Sequence, residues 1–121
     1  MGFDFYNNIP IYLQIAKILK IKIISGEISP GERLPSVRDL AVELKANPNT
    51  VQRALADLEN EKLIFTERTN GKFVTDNKAL ILKHKTAYAS SLTEEYLNSM
   101  NKIGFSKEDA VNYIKSMGGN A

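Results

Sequence analysis

Ala46-Asn47-Pro48 constrains the fold more than any other part of the chain, because it closes one helix and opens the next within three residues. Asparagine is a strong N-cap. Proline suits the first helical position, where its fixed φ is already helical and its missing N–H costs nothing. Before this break, Val37, Leu40, Ala41 and Leu44 fall at i, i+3, i+4 and i+7, and Ser36 with Asp39 resembles a capping box. A short, one-sided helix ending near residue 45 follows. After the break, Val51, Ala54, Leu55 and Leu58 form the inner face of a helix that runs to about residue 61. Two short helices joined by so tight a turn make a helix-turn-helix.

The flanking sequence fits that motif. Pro10 stands as the first residue of a scaffold helix reaching about residue 25, with Ile11, Ile15, Ile18 and Leu19 as its apolar stripe, widened by Tyr12, Ala16 and Ile23. Gly26 stops it. The two prolines of Ile28-Ser29-Pro30-Gly31-Glu32-Arg33-Leu34-Pro35 exclude regular helix, so this stretch reads as a turn-rich connector. Downstream, β-prone runs at residues 63–67 and 72–75 flank Asn70-Gly71, a strong hairpin signal because both central turn positions tolerate positive φ. Beyond Asp76 the pattern is again helical, over residues 78–101 with Ile81, Tyr88, Leu92 and Tyr96 on one face. A last helix is capped by Ser106 and Asp109, with Val111 and Ile114 directed inward.

The expected fold class is therefore mainly α with a small β-hairpin (α+β). A winged helix-turn-helix domain at residues 1–77 is followed by a two-helix dimerisation tail at residues 78–121. The 121 residues suffice for one compact domain and an appendage. No cysteine is present, which removes disulfides and thiolate metal sites and suits a reducing cytoplasm. The first ten residues lack the layout of a signal peptide, and no apolar run approaches a membrane span, so a cytoplasmic location without membrane attachment is expected. Up to Asn77 there are ten basic and ten acidic residues, and six and four after it, for a net charge of +2. A nucleic-acid surface would therefore have to be a local patch made by sorting charges between faces.

Helical projection of the third helix puts Asn49, Gln52, Arg53 and Ala56 opposite its core, with Thr50 at the side. Asn and Gln can bond adenine edges bidentately, Arg can do so to guanine, Ala can touch the thymine methyl, and Thr suits a phosphate oxygen. Asp57, Glu59 and Glu61 follow, so only the first two turns are expected to enter a major groove. A solvated helix face would carry similar residues, and the helix-turn-helix context favours the DNA reading. Arg38, in the first turn of the second helix, is placed either to touch phosphate or to pair with a carboxylate. Arg68, Asn70, Gly71 and Lys72 at the wing tip could reach phosphates or a minor groove, or simply guard a hairpin edge. Tyr88 and Tyr96 fit a core or dimer interface better than a ligand pocket.

No catalytic or cofactor-binding constellation is present. The single histidine, His84, lies between Lys83 and Lys85 on a basic helix and reads as solvated; Glu94 and Glu95 diverge around a helix, and neither a P-loop nor a dinucleotide glycine pattern occurs. Neither a metal nor a cofactor is expected.

Four stretches together resemble the GntR family of bacterial transcription regulators: Pro10-Ile11-Tyr12, Gly31 through Ala41 (Gly-Glu-Arg-Leu-Pro-Ser-Val-Arg-Asp-Leu-Ala), Asn49 through Leu55, and Gly71-Lys72-Phe73-Val74. The resemblance covers about residues 9–75. The tail is too short for the larger effector domains of most branches and is similar to the YtrA-type branch, whose two tail helices serve mainly dimerisation. The family implies that Arg38 contacts DNA, that Asn49, Thr50, Gln52 and Arg53 occupy recognition-helix positions, and that Gly71 lies in the wing. Pro48 and Gln52 stand where relatives often have Arg, and Thr69 where the wing usually has a first glycine, so the operator cannot be copied from a relative.

The resulting expectation is a homodimer that binds double-stranded DNA at a pseudo-palindromic operator and represses neighbouring transporter genes, with dimerisation through Ile81, Tyr88, Leu92 and Tyr96. A small-molecule effector would have to bind at a domain or subunit junction. The rival from another class is a winged helix used for protein contact or chromosome architecture without sequence readout. An enzyme is a distant third.

Overall fold

Helix α1 (Ile11–Ile24) starts one residue later than its proline suggests. Pro10 is the N-cap, with φ −52° and ψ 135°, and its carbonyl accepts from the N–H groups of Leu13 and Gln14. The computed structural model describes residues 8–118. Ile15, Ala16, Leu19, Ile23 and Ile24 are buried, whereas Ile18 and Tyr12 are half-buried and Ile11, expected inside, is exposed. Ile11 belongs to the first turn, where it lines a shallow open depression with Tyr12, Asn49, Thr50 and Arg53 instead of facing core.

Helix α2 (Val37–Leu44) is capped by the Ser36 hydroxyl, which accepts from the Asp39 N–H at 3.1 Å. Lys45 ends it in the left-handed region, at φ 54° and ψ 47°, and the Ala46 N–H returns to the Ala41 carbonyl. Helix α3 (Pro48–Asn60) follows at once. Asn47 caps it by accepting from the Asn49 N–H at 2.7 Å, with Pro48 in the first turn as the sequence predicts. At the far end Lys62, at φ 65°, donates to the Glu59 carbonyl and Leu63 to the Leu58 carbonyl. This paired return is the Schellman arrangement, which satisfies carbonyls the helix leaves free.

The core of this part joins Ile15, Leu19 and Ile23 of α1, Leu40 and Leu44 of α2, and Val51, Ala54, Leu55 and Leu58 of α3 to Leu34, Leu63, Ile64 and Val74. No polar or charged residue is buried among the described residues. Burying an aliphatic side chain contributes about 1.5–3 kcal/mol, so this set supplies the driving force that fixes α3 against α1 and α2.

Strands β1 (Ile64–Glu67) and β2 (Gly71–Val74) pair antiparallel, with Thr66 opposite Lys72 and Glu67 opposite Gly71. The connection is Arg68-Thr69-Asn70, so the expected two-residue turn centred on Asn70-Gly71 does not form. Asn70 donates to the Glu67 carbonyl, and only Gly71, at φ 97°, takes a positive φ. A three-residue loop concentrates the left-handed requirement on one position, and glycine fills it. The connector before α2 is also more ordered than its prolines suggest. Arg33 bridges to Phe73, the Leu34 N–H donates to the Lys72 carbonyl, and the Val74 N–H donates to the Glu32 carbonyl. The wing thus has three extended segments.

The chain falls into two compact units that meet within helix α4 (Lys78–Lys102), one ending at His84 and the other beginning at Lys85. Ile81 is buried in the first. In the second, Gly104, at φ 97°, lets the Phe105 N–H return to the Met100 carbonyl and ends α4. Helix α5 (Lys107–Met117) then opens with a full capping box between Ser106 and Asp109. The Ser106 N–H on the Asp109 carboxylate holds that group below the usual aspartate range. Tyr96 donates to the Ala110 carbonyl at 3.3 Å, and Phe105 meets Tyr113 edge-on. Val111 and Ile114 are exposed instead of inward, and Ala110 takes the buried position, because two helices alone enclose little more than the line where they touch.

Candidate nucleic-acid interface

The outward edge of α3 carries Asn49, Gln52, Arg53 and Ala56, all exposed, with Thr50 half-buried beside them. Four inward side chains, Val51, Ala54, Leu55 and Leu58, set this rotation by burial. Arg53 is not loose on the surface: its guanidinium carbon lies 3.9 Å from the centroid of the Tyr12 ring. The sequence places Tyr12 only in the apolar stripe of α1. Its stacking role follows from where α1 crosses α3, which no local pattern records.

Arg38 is exposed in the first turn of α2, and of the two roles open to it, pairing with a carboxylate is not taken: it makes no ion pair with a described residue. The acidic end of α3 is largely engaged within the chain. Lys20 Nζ of α1 meets Glu61 at 3.0 Å. Glu59 accepts from the Thr66 hydroxyl at 2.8 Å and from Lys72 Nζ at 3.3 Å, and Lys72 also donates to Thr66 at 2.8 Å. These contacts, the Thr66 hydrogen bond first, hold the Glu59 carboxyl below the usual glutamate range against the opposing effect of its partial burial.

At the wing tip Arg68 and Asn70 are exposed and Gly71 is half-buried. Asn70 reaches the Glu67 carboxylate at 3.4 Å. Lys72, expected among the contact residues, is turned toward α3 by its pairing with Glu59. Its register opposite Thr66 explains this, since cross-strand partners share a face and that face looks onto α3. On the other face Phe65 and Phe73 stack with ring centroids 5.8 Å apart. Arg33 joins that face through its bridge to Phe73. Sequence reading missed Arg33, although Glu32-Arg33-Leu34, bounded by Gly31 and Pro35, is a short run with room to extend.

In the tail, Leu92 is exposed, Tyr88 is half-buried, and Tyr96 is half-buried with its hydroxyl bonded to α5. Ile81 does not share an exposed face with them, because the first unit already covers it. No helix among the described residues is long and apolar enough to cross a membrane.

The family model for bacterial regulatory proteins of the gntR family matches residues 11–74. The chain is 34% identical to the HTH-type transcriptional repressor YtrA of Bacillus subtilis, across 89% of this chain and 84% of that one. The solved structure of a GntR family transcriptional regulator from Listeria monocytogenes superposes with a TM-score of 0.86 at 38% identity, covering 94% of this chain and all of that one. AraR(DBD) in complex with operator ORR3 matches with a TM-score of 0.54 at 25% identity, over 62% of this chain and 88% of that one. With the capped helix-turn-helix, the polar outer edge of α3 and the wing in place, the chain belongs to the GntR family of bacterial regulatory proteins and is a DNA-binding transcription regulator, not an enzyme.

Proposed function

We propose that the chain is a cytoplasmic repressor that reads a pseudo-palindromic operator as a homodimer. The observation that carries this reading is the first two turns of α3, where Asn49, Gln52 and Arg53 stand exposed at the capped, electropositive helix end while the carboxylates at the other end are mostly engaged. Asn49 and Gln52 are assigned to adenine edges, Arg53 to guanine and Thr50 to phosphate. Arg38 takes a phosphate from α2, and Arg68, Asn70 and Gly71 meet the adjacent backbone or minor groove.

DNA contact is assigned to residues 1–77 and dimerisation to residues 78–121. The second unit supports self-association, since Leu92, Val111, Tyr113, Ile114 and Met117 are exposed and only Ala110 is buried in α5. Tyr88 and Tyr96 flank that surface. A two-fold dimer would place half-sites about 34–36 Å apart or at multiples of that spacing. The match along most of YtrA favours the YtrA-type branch, and with it control of transporter genes.

Selection of the purified chain against random duplex DNA near physiological salt tests the reading. Enrichment of a two-fold symmetric motif is expected, and Arg53→Ala should then lose about 1–3 kcal/mol and relax one base position in each half-site. A flat pool, with binding that vanishes as salt rises, would replace it with architectural, phosphate-only binding.

A further inference from the structure

We propose that Arg33, in the connector before α2, is a DNA-phosphate contact of the wing, and that Lys72 positions the wing instead of touching DNA. The inference rests on the DNA-binding reading above and concerns which cations of the wing carry it.

Two independent features place Arg33 there. Its backbone bridges Phe73, with Leu34 N–H donating to the Lys72 carbonyl, so the connector is anchored beside β2. Its side chain then lies over Gly71. A Cβ built at that glycine would come within 3.2 Å of Arg33 Nε and 3.3 Å of Nη2, so the missing side chain is what gives the guanidinium its place near the hairpin tip. Arg33 is exposed and makes no ion pair with a described residue. Its planar fork of donors matches a phosphate.

Lys72 has the opposite circumstances. Its ammonium is divided between Glu59 and Thr66, and its side chain retains 20% of its exposure. Contact with phosphate would require breaking both bonds and leaving Glu59 facing DNA uncompensated. The triad instead ties both strands of the wing to α3, fixing the angle at which the tip meets the duplex.

The salt dependence of binding by the full-length chain to the duplex it selects separates the two roles, because each phosphate neutralised adds about 0.9 to the slope of log K against log salt. Arg33→Gln should bind more weakly with a slope shallower by about 1.8, one phosphate contact being lost in each half-site of a dimer-bound duplex, Arg33→Lys should retain the wild-type slope, and Lys72→Gln should retain it as well. An unchanged slope in Arg33→Gln, with an unchanged melting temperature, overturns the assignment, and so does a shallower slope in Lys72→Gln. Wild-type protein that selects no duplex would instead remove the sequence-reading function on which the inference rests.

Discussion

The guanidinium of Arg53 rests 3.9 Å above the ring of Tyr12, joining the exposed edge of α3 to the first turn of α1. The ring removes rotamers from a long side chain before any DNA arrives. In the proposed DNA-bound state, the entropy that Arg53 would lose on bonding a base edge is then partly spent in the free protein.

If that contact preorganises Arg53, Tyr12→Leu should weaken binding to a selected operator by about twofold to fivefold for each half-site, the scale of a surface cation–π contact of ~0.5–1 kcal/mol. Tyr12→Phe keeps the ring and should bind like wild type. Fluorescence anisotropy titrations of the three proteins decide the matter, and equal affinities for Tyr12→Leu and wild type would dismiss the role.

The wing triad should show itself in pH dependence. Glu59 titrates below its ordinary range in the folded protein, so its contribution is complete above the ordinary glutamate value and is lost as pH falls through the lowered one. Wild type should therefore melt above Glu59→Gln at neutral pH, and the gap should close as the pH falls below the ordinary glutamate range. A gap that widens on acidification would contradict the sign.

Lys45 holds the left-handed turn between α2 and α3 at φ 54°, a conformation that costs an L-residue with a Cβ roughly 1–2 kcal/mol. Its side chain is exposed and no contact needs to be lost with it. Lys45→Gly should raise stability by about 0.5–1 kcal/mol once the greater freedom of glycine in the unfolded chain is deducted. Urea denaturation provides the check, and a lower midpoint at unchanged slope would count against the argument.

Leu55 is 1% exposed at the centre of the α3 packing face. Leu55→Ala should cost about 2–5 kcal/mol, the range for truncation in a packed core, and should reduce DNA binding only through unfolding. Ile114, 55% exposed on α5, makes a contrasting case. Ile114→Asp should leave the protomer folded and convert the dimer to monomer by light scattering at micromolar concentration. A wild-type chain that is already monomeric there would remove the dimerisation role.

Local chemistry determined the caps and breaks of this protein. Ser36, Asn47 and Ser106 each cap the helix that their sequence context announces, and Pro48 stands in the first turn where its missing N–H is harmless. The inner face of α3 was equally legible, because helical periodicity alone assigns Val51, Ala54, Leu55 and Leu58 to one side and therefore Asn49, Gln52 and Arg53 to the other. Tertiary structure decided what lies between elements distant in the chain. Arg53 stacks on Tyr12, Lys72 turns from solvent to Glu59, Arg33 settles on Gly71, and Val111 and Ile114 remain exposed while Ala110 is buried. Periodicity reports which side of an element is apolar or polar; what that side meets depends on crossing angles and strand register, which only the packing of the whole core sets.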